Sequence, residues 1–127
     1  MTERSAHKRH CCVVKLLFVC SRNQWRSPTA ERVVRAWGGA HEARSAGTSP
    51  QARVRVNERM LLWADVVFVM ECRHREQLRE RFGAAMREVE VVVLDVPDQW
   101  EADDPELVEL LDRRVREELD RYEDDEE

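Results

Sequence analysis

Three apolar runs do most to limit what this chain can fold into. "VVKLLFV" (13–19), "VVFVM" (66–70) and "VEVVVL" (89–94) are almost unbroken in apolar character. A strand with one wet face alternates apolar and polar residues, whereas runs like these suit strands buried on both faces, as in a parallel sheet covered by helices. "HEARSAG" offers a shorter strand ending near Ser45. Helical patterns fill the gaps. Ser27-Pro28 opens one, with Pro28 expected at the first helical position; Ala30, Val33, Val34 and Trp37 follow at helical spacing, and Gly38-Gly39 stops it. Asn57 is a plausible N-cap, with Val56 and Leu61 spaced as a hydrophobic staple, for a helix to about Trp63. A third helix is predicted from about Cys72 to Phe82, closed by Gly83. The last begins at Asp104-Pro105 and takes Val108, Leu111, Val115, Leu119 and Tyr122 as its inner face.

The order β-loop-α-β-α-β-α-β-α predicts an α/β fold, an open three-layer sandwich around a four-stranded parallel sheet with right-handed crossovers. Ligands of such sheets sit beyond the carboxyl ends of the strands, where the strand order reverses. Cys20 stands at the carboxyl end of the first strand and Asp98 just past the last. The topology alone could bring them together.

At 127 residues the chain suggests one domain, here 13–122, with an extension over 1–12 and an acidic, solvated tail over 123–127. A net charge of −5 argues against a general nucleic-acid binder, and the locally basic "RHREQLRER" reads as a solvated helix face. No apolar stretch is long enough to span a bilayer, and the short run after the charged N-terminus ends in a cysteine and polar residues, unlike a secretory signal. No membrane association and a cytoplasmic location are the expectation. Four cysteines (Cys11, Cys12, Cys20, Cys72) form neither a disulfide framework nor a zinc-ligand spacing. His7 and His10 beside Cys11 and Cys12 read as part of a flexible extension.

The loop "VCSRNQWRSP" (19–28) carries the chemistry. A loop between a parallel strand and a helix N-terminus offers unpaired N–H groups and the positive end of a helix dipole, a setting for a phosphate-like anion. The same setting favours the thiolate of Cys20 as a nucleophile. Arg26 adds a planar fork able to hold two phosphate oxygens, and Ser27 can donate a hydrogen bond to the thiolate. The loop lacks the glycines and G-K-[ST] ending of a nucleotide-binding phosphate loop.

"LLFVCSRNQWRSPTAE" resembles the C-x5-R-[ST]-P signature of the low-molecular-weight protein tyrosine phosphatases, in a short, divergent bacterial-type form. "SAGT" (45–48), "VVFVME" and "VPDQW" resemble that family's second strand, third strand and acid loop, so the likeness runs over about residues 14–120. It implies a flavodoxin-like sandwich in which Ser21, Arg22, Asn23, Gln24, Trp25 and Ser27 help bind phosphate. Asn23 would shape the loop and Ser45 support Asn23. It implies a phosphocysteine on Cys20, Arg26 holding the equatorial oxygens, and an aspartate as acid and then base, with no metal or cofactor. The implied substrate is a phosphotyrosine protein or a small aryl phosphate, with inorganic phosphate as product and a monomer or weak dimer as the active species.

The family places its acid in Asp-Pro-aromatic, and "PDQW" has Gln99 where proline is expected. Asp104-Pro105 offers a literal Asp-Pro, yet Asp104 is better placed as an N-cap, engaged by backbone N–H groups. Asp98 fits better, with Trp100 as an aromatic wall; Asp95 reads as a strand-end residue and Asp103 as an exposed loop carboxylate. Arg22 stands where glycine is usual, at the pocket rim or in solvent, and Trp25 where many members carry a second, protective cysteine. The segment 48–57 is short and lacks both the usual substrate loop and the histidine that orients the loop asparagine. Trp37 and Trp63 read as packing residues. Two alternatives remain at this level: an arsenate reductase using the same loop, for which only Cys72 could relay a disulfide, or a phosphate- or phosphoprotein-binding module with little turnover.

Overall fold

The computed structural model describes residues 14–39 and 41–125, and side chains as far as Arg121. The expectations placed on His7, His10, Cys11, Cys12, the 1–12 extension and the Tyr122 side chain lie outside that range. Four strands, β1 (Lys15–Cys20), β2 (Glu42–Gly47), β3 (Val66–Val69) and β4 (Val91–Val93), alternate with α1 (Arg26–Ala36), α2 (Glu58–Trp63), α3 (Cys72–Phe82) and α4 (Pro105–Asp125). A 3-10 turn, Gly83–Glu88, joins α3 to β4. None of the described helices is long and apolar enough to cross a membrane.

All pairings are parallel, in the order β2-β1-β3-β4. The chain leaves β1 toward one edge and returns on its other side, so the order reverses between β1 and β3. Alternate residues of these central strands feed two cores. Leu16, Phe18, Val66, Phe68 and Met70 pack against α1 and α4, through Val34, Leu107, Leu111 and Val115. Leu17, Val19, Val67 and Val69 pack on the opposite face with Leu61 of α2 and Leu78 of α3. Phe18 and Phe68 stack across β1 and β3 with ring centres 5.4 Å apart. The three-layer parallel sandwich expected from the apolar runs is present, because these strands are buried on both faces.

Local boundaries differ in three places. The first helix starts at Arg26 with Trp25 as N-cap, so Pro28 lies in the first turn but not at its first position. Proline is tolerated there because the first-turn N–H groups have no intrahelical partner. β4 is shorter than the apolar run, although Leu94 and Val96 still donate to Val69 and Met70 carbonyls at 2.8 Å. On α4 the inner face is Leu107, Leu111, Val115 and Leu119, with Val108 only half-buried. That helix continues to Asp125, through the start of the acidic tail. Asn57 caps α2 as expected, its side chain accepting from the Met60 N–H at 2.9 Å.

Candidate active site

The reversal of strand order opens a crevice at the carboxyl ends of β1 and β3, and the loop from Cys20 to Arg26 fills its mouth. Four successive carbonyls turn toward the 48–53 segment. Cys20, Ser21 and Arg22 accept from the N–H groups of Thr48, Ser49 and Arg53 at 3.0, 2.8 and 3.0 Å. The Asn23 carbonyl accepts from Arg53 Nε at 3.3 Å. The peptide bonds of this loop are trans, so the N–H groups of residues 21–24 point away from that segment. A run of N–H groups on one side of a loop, continued by the N-terminus of α1, makes an anion cradle. Gly47 permits the close approach: a Cβ there would lie 2.5 Å from the Ser21 carbonyl oxygen and 2.9 Å from the Asn23 nitrogen.

Asn23 makes the bend. It adopts φ 55°, the left-handed region that asparagine tolerates better than most residues, and is fully buried. Its Nδ2 donates to Ser27 Oγ at 3.0 Å and to Ser45 Oγ at 2.9 Å, and Ser45 donates on to Glu31 at 2.6 Å. Ser27 Oγ lies 3.1 Å from Cys20 Sγ. Because Ser27 accepts from Asn23, its one proton is shared between two acceptors, the sulfur and the Ala46 carbonyl at 3.3 Å, and a thiolate at Cys20 is the stronger of the two. The family-implied partnership of Asn23 with Ser45 is therefore present, and Glu31 extends it one step beyond the sequence reading.

Cys20, Ser21, Arg22, Gln24, Trp25, Arg26 and Asp98 line one recess of about 180 Å³. Cys20 is buried at its base and Trp25 is 38% exposed at its rim. The buried Arg26 guanidinium is anchored from behind, donating through one terminal nitrogen to Glu71 and, at 2.8 Å, to the Val96 carbonyl. This leaves the other guanidinium nitrogens for the recess. Asp98 stands 3.9 Å from Arg26 Nε and remains half exposed.

Two supports went unread in the sequence. Glu71, the N-cap of α3 just past β3, holds Arg26 and also accepts from Arg73 Nε at 2.9 Å. The hydrogen bond from Arg73, opposed by burial and reinforced by Arg26, brings its pKa down to about 2, so it is a carboxylate at any ordinary pH. His74 is fully buried in α3. Its Nδ1 accepts from the Glu71 N–H at 3.1 Å, which places the ring proton on Nε2, 3.0 Å from Ser21 Oγ. Burial first, then the Arg26 and Arg73 charges, lower its pKa to about 4 and keep it neutral. A histidine thus does meet the loop, but from α3 and at Ser21, not from the 48–57 segment and not at Asn23. Its signal lay in its position: three residues beyond Glu71, it completes a capping box at the start of α3.

The other aspartates fall elsewhere. Asp104 Oδ1 accepts from the Glu106 N–H at 2.9 Å, the N-cap arrangement expected of it. Asp103, at φ 64°, is exposed but engages Arg32 at 2.8 Å. Asp95 is exposed beside the recess containing Cys72, Pro97 and Asp98. Trp100 packs on the α1–α4 core and donates to Glu106 at 3.0 Å, so it does not line the recess as the aromatic-wall expectation requires, whereas Trp25 does. Trp37 and Trp63 pack against the two cores. Cys72 is exposed at the start of α3.

Residues 15–63 match the family model described as low molecular weight phosphotyrosine protein phosphatase. The tyrosine phosphatase Wzb from Escherichia coli K30, solved with phosphate, superposes with a TM-score of 0.70 at 19% identity, over 86% of this chain and 98% of that one. Vibrio vulnificus Wzb, solved with benzylphosphonate, gives 0.69 at 19% identity over 85% and 98%. The YwlE arginine phosphatase of Geobacillus stearothermophilus gives 0.59 at 22% identity over 87% and 88%. A search of curated proteins finds no match. At these identities the superpositions establish the fold alone, and the family match covers the Cys20–Arg26 loop and β2.

Proposed function

We propose that the protein is a phosphomonoester hydrolase acting through a phosphocysteine on Cys20. One observation carries the reading: the Cys20 thiol, the Arg26 guanidinium and the Asp98 carboxylate converge on a single recess beneath a cradle of backbone N–H groups. The Cys20 sulfur attacks phosphorus in line as the phosphorus–oxygen bond breaks, and Asp98 gives its proton to the departing oxygen. Water then attacks the phosphocysteine, returning its proton to Asp98 as the sulfur–phosphorus bond breaks and inorganic phosphate leaves. Arg26 and the loop N–H groups hold the equatorial oxygens through both steps. The hydrogen bond from Ser27 stabilises the thiolate, which is the nucleophile of the first step and the leaving group of the second. The family match and the Trp25 ring at the recess rim favour an aryl ester, with phosphotyrosine in a protein as the substrate.

Hydrolysis of p-nitrophenyl phosphate tests this. Wild-type chain should turn it over, vanadate should block the reaction, and Cys20→Ser should abolish it. Equal rates for wild type and Cys20→Ser would favour a phosphate-binding module. Since structural neighbours include tyrosine and arginine phosphatases, phosphotyrosine and phosphoarginine peptides belong in the same assay, with phosphotyrosine expected to be preferred.

A further inference from the structure

Beside the phosphate recess lies a larger open cleft of about 530 Å³. Ser21 and Arg22 line both hollows and so form their shared wall. The far side of the cleft is α3, through Arg73, Gln77, Glu80 and Arg81, and its floor is the short turn at 48–50. Around the whole cleft three side chains are cationic, Arg22, Arg73 and Arg81, and one, Glu80, is anionic. Arg81 is fixed in place, donating to the Thr48 carbonyl at 2.7 Å. Arg73 is held by Glu71, but that carboxylate is shared with buried Arg26, so the pair of arginines is not neutralised by it. The cleft therefore carries a positive excess on a chain whose net charge is −5.

We propose that this cleft is a subsite for acidic side chains flanking the phosphorylated residue, so that the preferred substrate is an acidic phosphoprotein segment. The proposal rests on the phosphatase reading of the neighbouring recess. A phosphorylated side chain seated over Cys20 must carry its main chain out across the rim, and one outlet is the wall shared with the cleft. An extended chain advances about 3.3–3.6 Å per residue, which brings the next one to three side chains over the cleft. Carboxylates there would meet guanidinium forks suited to them. No aromatic side chain lines the cleft among the described residues, so it lacks the stacking platform a single-stranded nucleic acid would use. The overall negative charge also opposes a long polyanion more than a short acidic segment.

Two phosphotyrosine peptides, identical except for flanking Asp and Glu or Asn and Gln, test the idea beside p-nitrophenyl phosphate. The acidic peptide should have the higher kcat/KM, by about three- to ten-fold at low salt, with the preference shrinking as salt screens exposed charges. Gln77→Glu should lower the acidic-to-neutral ratio and Gln77→Arg raise it, each by about two- to three-fold, typical of one exposed charge pair. Equal kcat/KM for the two peptides, or a ratio insensitive to both Gln77 variants, would overturn the subsite. If even p-nitrophenyl phosphate is not turned over, the phosphatase reading fails instead. Fluorescence-anisotropy binding of the same two peptides to the intact chain then decides the subsite, again on the acidic-to-neutral ratio.

Discussion

At φ 55° Asn23 holds a backbone shape that most residues adopt at a cost, and its amide ties the loop to Ser27 and Ser45. Two substitutions separate these roles. Asn23→Gly loses the hydrogen bonds but keeps the backbone freedom, whereas Asn23→Ala loses both, so alanine should be the less stable by about 1 kcal/mol in urea unfolding. Equal stability of the two would mean that the left-handed conformation is not strained. His74 gives a second prediction at this scale. Its pKa falls from 6.5 to about 4 on folding, so between those values the unfolded chain takes up a proton that the native chain refuses. Stability contributed by the neutral ring is complete above pH 6.5 and is lost as pH falls toward 4, by up to ~3 kcal/mol. His74→Gln should flatten that part of the stability profile, and an unchanged slope would count against the buried neutral ring. Asn23 was legible as a loop-shaping residue only through the family resemblance of the motif that holds it. His74 was not, because a single buried histidine in the charged run "RHREQLRER" leaves no periodic trace, and only its offset from Glu71 marks it.

The elements around the loop explain the glycine in "SAGT". β2 runs parallel to β1 to the pair Cys20–Gly47, and the chain beyond it captures the loop carbonyls. Gly47→Ala would drive a methyl group into the Ser21 carbonyl and the Asn23 backbone, neither of which can rotate away. Loss of about 2 kcal/mol or more in unfolding free energy is expected, with an accompanying loss of turnover. A fully active, equally stable variant would show that the 48–53 segment does not set the loop's shape. The shortness of 48–57 was plain in the sequence. Its use as the clamp on the loop was not, because backbone-to-backbone bonds carry no residue signature. The α4 inner face was misread by one position for a related reason: Leu107 and Val108 are both apolar, and only packing on the α1 side of the sheet selects Leu107. On the loop before α4, Asp98 and Asp104 make opposite predictions. Asp98→Ala should reduce kcat for a poor leaving group such as phenyl phosphate by about 10²–10⁴-fold, the usual worth of a general acid. Asp104→Ala should keep kcat and lose about 1 kcal/mol of stability with its cap. Full turnover by Asp98→Ala would remove it from the mechanism.

For the molecule as a whole, unbroken apolar runs were enough to predict a parallel sheet, since only a strand covered on both sides needs such residues at every position. Leu16, Leu17, Phe18 and Val19 supply both cores in turn. The strand order then determines where ligands go. β1 and β3 sit side by side at the reversal, so Cys20 and Glu71, far apart in sequence, meet across Arg26. What could not be read was which aromatic would face the recess. Trp25 and Trp100 are both near it in sequence, and only the burial of Trp100 against α1 and α4 separates them.

The proposed mechanism requires a covalent phosphoryl group on Cys20 during turnover. Rapid quenching of the wild-type reaction with p-nitrophenyl phosphate, followed by intact-mass and peptide analysis, tests it directly. The expected result is one phosphoryl group per chain, located on the peptide containing Cys20, in a fraction that rises when Asp98→Ala is assayed because hydrolysis of the intermediate loses its base. Continued hydrolysis with no phosphoryl group trapped in either protein, or a group carried on another residue, would rule out the phosphocysteine.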